Sequence, residues 1–497
     1  MDKISVSSKQ FIDEYGRERI FCGVNMGGKI TPFMNTYTNA ESKHILKNHI
    51  KLLHTHGFNV IRFFVNWSYL EPMPKQYDEN VLNGIKEFLD ICKENGIYVY
   101  LDMHQDLYSS FRKEINPTLH GNGAPKWACI TNGKKFKQPK RIWAEGYFTG
   151  KAVHNAFNNF WNNAEVEGQG LQEHFCDLWR MLAKRFGTHP AILGFDIFNE
   201  PFPYTYDKNI FFIIVKSAIK ITLKNRNISK RRLISSLLKK EPLPTLLSQY
   251  SSKILYEITS PANKYIEKFD KEKYSPFINK VTAAIREVTD NGIIFMENCY
   301  YSNMGIPFSA PPITVNYNRE KNQAFSPHAY DLLVDTPFYK YADNERVGAT
   351  FKRRKCEQEK LNIPVLVGEW GGGTMIPDWF DHANYLLNLF DSFKWSHTYW
   401  CFNPVIFNSP LMNILCRVHP IAVCGKIESY HFDKENQRFI LSFNQDKDYN
   451  VPTEIFCHTK PKKVKAGGAY AIKMLDDIHC ILLLTAKQGH HTITIEF

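Results

Sequence analysis

Six short clusters of polar and aromatic residues in this chain each follow directly on an apolar run. They are Arg62 with Asn66 and Trp67, Asp102-Met103-His104-Gln105-Asp106, Asn199-Glu200-Pro201, His328-Ala329-Tyr330, Glu369-Trp370, and Trp400. Two glutamates among Arg, His, Asn, Tyr and Trp are the residue types that cleavage of a glycosidic bond requires. One carboxylic acid protonates the leaving oxygen, and a second, ionised carboxylate attacks or stabilises the oxocarbenium-like centre. Arg62 and Tyr330 are candidates to stabilise one carboxylate, whose negative charge raises the pKa of the other. Asn199 is a candidate for holding a sugar 2-hydroxyl. Trp400 reads as an aromatic platform under a sugar, with a core aromatic closing the fold as the competing reading.

The apolar runs that carry these clusters start at Phe21, Asn59, Ile97, Ala191, Ile293, Gln323, Pro364 and Thr398. They are apolar almost throughout, as strands covered on both faces must be. Helical spacing lies between them, for example Leu82, Ile85, Leu89 and Cys92, or the segment Leu171–Phe186. Eight strands alternating with helices predict an α/β fold, a (β/α)8 TIM barrel, whose function sits at the C-terminal ends of the strands. A doubly wound sheet is the competitor, but no GxGxxG follows the first strand. Strands four and seven face each other across such a mouth, so Glu200 and Glu369 are expected to flank a sugar at about 5–5.5 Å, the spacing of retaining enzymes. Beyond residue 410 the pattern becomes short and alternating, as in Phe439, Leu441, Phe443 and in Ile493, Ile495, Phe497. That predicts a C-terminal β-sandwich. The expected organisation is a catalytic domain over 1–409, with a basic helical insertion at about 208–290, and a small β-sandwich domain over 410–497.

At 497 residues, 43% hydrophobic and 23% charged, the chain is too long for one sandwich or bundle and too apolar for disorder. Eleven cysteines without a CxxC read as mostly reduced core residues. Asp102, His104 and Asp106 have ligand-like spacing, but no further His/Asp cluster completes a metal set; neither metal nor other cofactor is expected, and Asp102 reads as a structural ion-pair member. The glycines 371–373 lack the lysine of a phosphate loop and read as a place where backbone passes close to substrate. Trp67, Trp127 and Trp143 stay open between groove and core. Most of the net charge of +12 is local, because residues 208–240 hold ten Lys/Arg and no Asp/Glu. Lys216, Lys220 and Lys224 are expected on one helical stripe opposite Phe212, Ile219 and Leu223. A solvated face and peripheral association with an anionic membrane are the two readings of 208–240; interleaved aliphatics argue against nucleic acid. No secretory h-region follows Met1, and no run approaches a membrane span. The expectation is a monomer, cytoplasmic or exported by a non-classical route, peripheral to a membrane.

Beside these readings stands a resemblance. GFDIFNEP with the later PVLVGEW, DMHQD, HAY and the late YW resemble glycoside hydrolase family 5. GVNMGG, VNWSYLEP, NGAPKWA and GEWGGG narrow it to the endoglycoceramidase and glucosylceramidase-like group, over residues 20–405 and with a trailing sandwich. The resemblance implies a retaining glycosidase that cuts the glycan–ceramide linkage of glycosphingolipids without a cofactor. Glu200 then resembles the acid/base, Glu369 the nucleophile, and Tyr330 the nucleophile's hydrogen-bond partner. Arg62, His104, Asn199, His328 and Trp400 resemble glycone-binding and supporting residues, and Lys29 and Asp106 resemble sugar contacts of the group. A glucosylceramidase or other lipid-glycoside β-glucosidase is the alternative within enzymes; a non-catalytic glycolipid-binding protein is the alternative outside them.

Overall fold

The computed structural model describes the chain except residues 30, 110–120, 138–142, 226–228, 230, 232–234, 236–243, 245–246, 249, 335, 337 and 373–376, and except the side chains of 204–209. Part of the basic cluster (Lys230, Arg232) and Gly373 therefore lie outside the described residues.

Eight parallel strands form the central sheet: β1 (Cys22–Gly27), β2 (Val60–Val65), β3 (Tyr98–Met103), β4 (Ile192–Asp196), β5 (Ile293–Met296), β6 (Gln323–Phe325), β7 (Leu366–Gly371) and β8 (Ser396–Trp400). Their order is β6-β5-β4-β3-β2-β1-β8-β7. Parallel bridges Phe325–Val365 and His328–Glu369 join the outer two strands, so the sheet is a closed barrel. Around it lie α1 (Ala40–Thr55), α2 (Glu79–Glu94), α3 (Lys151–Trp161), α4 (Leu171–Phe186), α5 (Tyr204–Lys224), α6 (Ser275–Arg286), α7 (Asn344–Leu361) and α8 (Phe380–Phe393). Every residue of β2 and β3 is buried, as the uninterrupted VIRFFV and YVYLDM require. Gly194 fits β4 because a Cβ there would lie 2.0 Å from the Ile293 carbonyl oxygen of β5.

Inside the barrel the alternate residues Phe21, Val60, Tyr98, Tyr100, Leu193, Ile293, Phe295, Ala324 and Leu366 pack into one apolar plug. Ile4 and Phe11, from strands Ile4–Ser7 and Gln10–Asp13, complete it. The Phe11 ring stands edge-on to Phe21 at 5.5 Å, and Phe21 stands edge-on to Tyr98 at 5.5 Å. These N-terminal strands do not pair with the barrel. Through Glu18–Arg19 they join His419–Val423, Thr453–Cys457, Cys480–Thr485 and Ala469–Met474 in a seven-stranded sheet. Lys426–Asp433, Arg438–Gln445, Gly489–Glu496 and Lys463–Lys465 form the second sheet. Phe439, Leu441, Phe443, Ile493 and Ile495 are fully buried between the two with Ile455, Leu482 and Leu484, which is the period-2 pattern of a sandwich core.

α5 differs from its expected form. Phe212, Ile219 and Leu223 are each more than half exposed, and Phe211 and Val215 are exposed beside them. At 100° per residue these five form a stripe that adjoins Lys216, Lys220 and Lys224 rather than opposing them. The buried side is instead carried by Ile210 and Ile214. The expected arrangement set Phe212, Ile219 and Leu223 opposite the lysines; here Ile210 and Ile214 take the buried side, and the stripe beside the lysines is exposed. Among the described residues no helix is long and apolar enough to cross a membrane.

Phe11→Ala should cost about 3–5 kcal/mol of stability, read from urea unfolding, because the lost ring leaves a void in the barrel floor and loosens the N-terminal strands from it.

Candidate active site

Arg62 on β2 has no solvent exposure, and all five of its N–H donors are used. Nε donates to Asp196 (2.8 Å); Nη1 to Asn25 (3.1 Å) and Glu369 (2.7 Å); Nη2 to Asn199 (3.0 Å) and Glu297 (2.6 Å). Asp102 adds an ion pair at 3.1 Å. Asn25 in turn donates to the Gly368 and Thr398 carbonyls, which ties β1 to β7 and β8. A bidentate, always-charged guanidinium is the side chain able to organise so many carboxylates out of water. Four carboxylates around one guanidinium leave excess negative charge, and burial drives Asp196 and Glu297 above the usual carboxylate range.

Above it the two glutamates meet. Glu200, Glu369 and His328 each place one donor atom within 4.8 Å of the other two. Glu369 Oε1 accepts from Arg62, and its Oε2 accepts from the Tyr330 hydroxyl at 2.8 Å. Glu200 is placed differently. Its Oε1 accepts from Asn303 Nδ2 at 2.6 Å and lies 3.2 Å from His328 Nδ1. Burial, only partly offset by Asn303, pushes its pKa up to about 7. His328 is fully buried, and burial lowers its pKa to about 3, so it is neutral beside Glu200. Glu200 has φ +40, in the left-handed region that a side chain adopts only when its surroundings impose it. Its N–H donates to Glu297 Oε2 at 2.7 Å, and its carbonyl accepts from Gln105 Nε2 at 3.2 Å.

The remaining predicted residues line the same mouth. Lys29 and Asp106 pair with each other at 2.7 Å; Asn122 Nδ2 also donates to Asp106 at 2.7 Å. Burial opposes the charge of both, but each outweighs it for the other, so Asp106 is held below and Lys29 above its ordinary range. The Lys29 ammonium lies 4.4 Å from the half-exposed Trp400 ring, and His104 stacks on that ring at 5.4 Å. His104 Nδ1 bonds Asp102 at 2.7 Å; burial lowers its pKa, but Asp102 outweighs this and the net shift is upward. Asn199 spends its oxygen on Arg62 and one N–H on the Gln105 carbonyl. Trp67 is buried and donates to Glu71, Trp127 stands edge-on to it, and Trp143 packs edge-on to Tyr147. Trp67 is thus part of the packing, while Trp127 and Trp143 are half-buried.

Two triads have metal-like donor spacing: Glu200, His328, Glu369 and Asp102, Asp196, Glu297. Arg62 contacts all three carboxylates of the second and, in the first, Glu369, so its positive charge already serves these groups. Sequence reading missed Glu297, Asp196 and Asn303, and gave Gln105 no role of its own within its cluster. Glu297 was legible, because it directly follows the strand IIFM. Asn303 carried no signal, since it sits in a 3-10 turn, Tyr300–Met304.

Comparison with known proteins agrees with this fold. Residues 21–235 and 239–405 match the family model Cellulase (glycosyl hydrolase family 5), and 417–495 match the glycoside hydrolase family 5 C-terminal domain. An endoglycoceramidase of Hydra vulgaris is 25% identical over 482 residues, covering 89% of this chain and 78% of the relative. Endoglycoceramidase I of Rhodococcus hoagii is 22% identical over 468 residues, covering 91% and 79%. The solved structure of endo-glycoceramidase II from Rhodococcus sp. in complex with ganglioside GM3 superposes with a TM-score of 0.71 over 99% of both chains, at 21% identity. The chain belongs to glycosyl hydrolase family 5.

Proposed function

We propose that this protein is a retaining glycosidase that cleaves the bond between glycan and ceramide in glycosphingolipids. The observation that carries the reaction type is the pair of glutamates with an oxygen of each inside 4.8 Å. Inverting enzymes need about 6.5–9.5 Å to admit a water between the carboxyl groups, and retaining ones about 5–5.5 Å. Glu369 is the nucleophile: Arg62 and Tyr330 hold its carboxylate towards the anomeric carbon. Glu200 is the acid/base, its proton kept near neutrality by burial. In the first step Glu369 bonds to the anomeric carbon while Glu200 transfers its proton to the departing oxygen. In the second, Glu200 takes a proton from water, which attacks the same carbon and releases Glu369. Lys29, Asp106, His104, Asn199, His328 and Trp400 form the glycone wall. The ceramide reading is supported by relatives named endoglycoceramidase that align over most of this chain. Incubation with a ganglioside and with glucosylceramide, followed by mass spectrometry of the released glycan, tests it; release of glucose alone would replace it with glucosylceramidase.

The partner at the rim is an anionic membrane. The exposed apolar stripe of α5, flanked by Lys216, Lys220 and Lys224, suits a helix lying in the headgroup plane. It starts four residues after Glu200 and is joined to the mouth by aromatic contacts Phe211–Phe148, Phe148–Tyr301 and Tyr301–Phe202. Three lysines near an anionic leaflet contribute about 1 kcal/mol each.

Glu200→Gln should lower activity by on the order of 10²–10⁴-fold, and Glu369→Gln should abolish the covalent intermediate, with both proteins folded by circular dichroism. Azide should rescue Glu369→Ala as the inverted glycosyl azide and Glu200→Ala with retention. The pH profile of kcat/KM gives the second expectation. Glu200 must be protonated to act as acid, so the rate on a poor leaving group should fall as pH rises through about 7. Thirdly, changing Lys216, Lys220 and Lys224 to Gln should abolish salt-sensitive sedimentation with phosphatidylserine liposomes while sparing hydrolysis of a soluble aryl glycoside.

A further inference from the structure

Glu297 carries none of the proposed chemical roles, yet it touches the supports of both reacting glutamates. It follows directly on β5, is 1% exposed, and its N–H donates to the buried Tyr274 hydroxyl at 2.9 Å. Oε1 accepts from Arg62 Nη2 at 2.6 Å, and the same guanidinium donates through Nη1 to Glu369 at 2.7 Å. Oε2 accepts the backbone N–H of Glu200 at 2.7 Å. Its Oε1 also lies 3.5 Å from His328 Nε2, whose other nitrogen faces Glu200.

We propose that Glu297 is a positioning residue, a single carboxyl strut that sets the Glu200 backbone and the Arg62 guanidinium at once, so that acid and nucleophile keep a fixed separation. The proposal rests on the roles given above to Glu200 and Glu369. Its physical basis is the strained φ of +40 at Glu200. A non-glycine residue stays there only while its surroundings over-determine it, at a cost on the order of 1–3 kcal/mol. The Glu200 N–H is held by Glu297, and the carbonyls of Asn199 and Glu200 on either side are held by Gln105 Nε2. Asp196, which also accepts from Arg62, lies against Glu297, and burial favours a proton between these two acids.

Glu297→Gln tests the strut with little change of shape. An amide offers one acceptor where the acid offers two; the charged Arg62 keeps the amide oxygen, so the Glu200 N–H loses its partner. A misplaced acid harms substrates whose leaving group needs a proton, and spares those whose leaving group does not. Kinetics on a 4-methylphenyl and a 2,4-dinitrophenyl glycoside, together with the rate of Glu369 labelling by a 2-deoxy-2-fluoroglycosyl fluoride read by mass spectrometry, separate the cases. The expected result is a loss of kcat/KM at least tenfold greater on the methylphenyl substrate than on the dinitrophenyl one, with labelling retained and the basic limb of the pH profile displaced. Equal losses on both substrates, or no loss, would overturn the proposal. Failure of the unsubstituted protein to label at Glu369 would instead overturn the assignment on which it rests. If Glu297→Gln does not fold, Glu297→Asp, whose carboxyl is withdrawn by one methylene, takes the same comparison. A wild-type ratio between the two substrates in that variant overturns the strut equally.

Discussion

The guanidinium of Arg62 is the group on which the catalytic end of this barrel depends. Its five donors reach side chains from β1, from β4 and the turn that follows it, from the end of β5, and from β7. Half the barrel circumference is thereby tied to one side chain with no access to water. Removing it would leave four buried carboxylates without a counter-charge, a far larger penalty than any one hydrogen bond. The apolar plug below and the polar site above are thus two regimes of one interior, and Arg62 is the boundary between them.

That boundary also explains how two glutamates in one pocket come to differ. Glu369 receives the guanidinium and a phenol, both of which favour negative charge. Glu200 receives an amide and a neutral imidazole in a buried setting, which favours the acid form. Nothing in the residue type makes the distinction; distance from Arg62 and the quality of the donors do. The division of labour proposed for them follows from this asymmetry.

How much of this could be read from the sequence differs by feature. The eight strand positions, the closed barrel and the family were legible, because fully buried strands must be apolar along their whole length and the catalytic clusters sit at their ends. Glu369 and Tyr330 were legible as neighbours, since both end strands of one mouth. The pairing of Lys29 with Asp106 was not, because both had been assigned to a sugar and the mutual salt bridge depends on loop geometry. The apolar stripe on α5 was expected opposite its lysines and instead adjoins them, because Ile210 and Ile214 take the buried side. The N-terminal strands went unassigned: two of them pair only locally, and Glu18–Arg19, which joins them to the C-terminal sheet, has its partner almost the whole chain away.

That last feature has a temporal side. Arg19 pairs with Ala422, so on the ribosome the strand waits while about 400 residues are added, roughly 20–80 s at ordinary translation rates. Until then the strands that carry Ile4 and Phe11 pair only with each other and with Glu18–Arg19, and lack the C-terminal strands that complete their sheet. Closing the floor of the barrel therefore belongs to the end of synthesis, since Glu18–Arg19 has no partner until Ala422 and Val423 have been made.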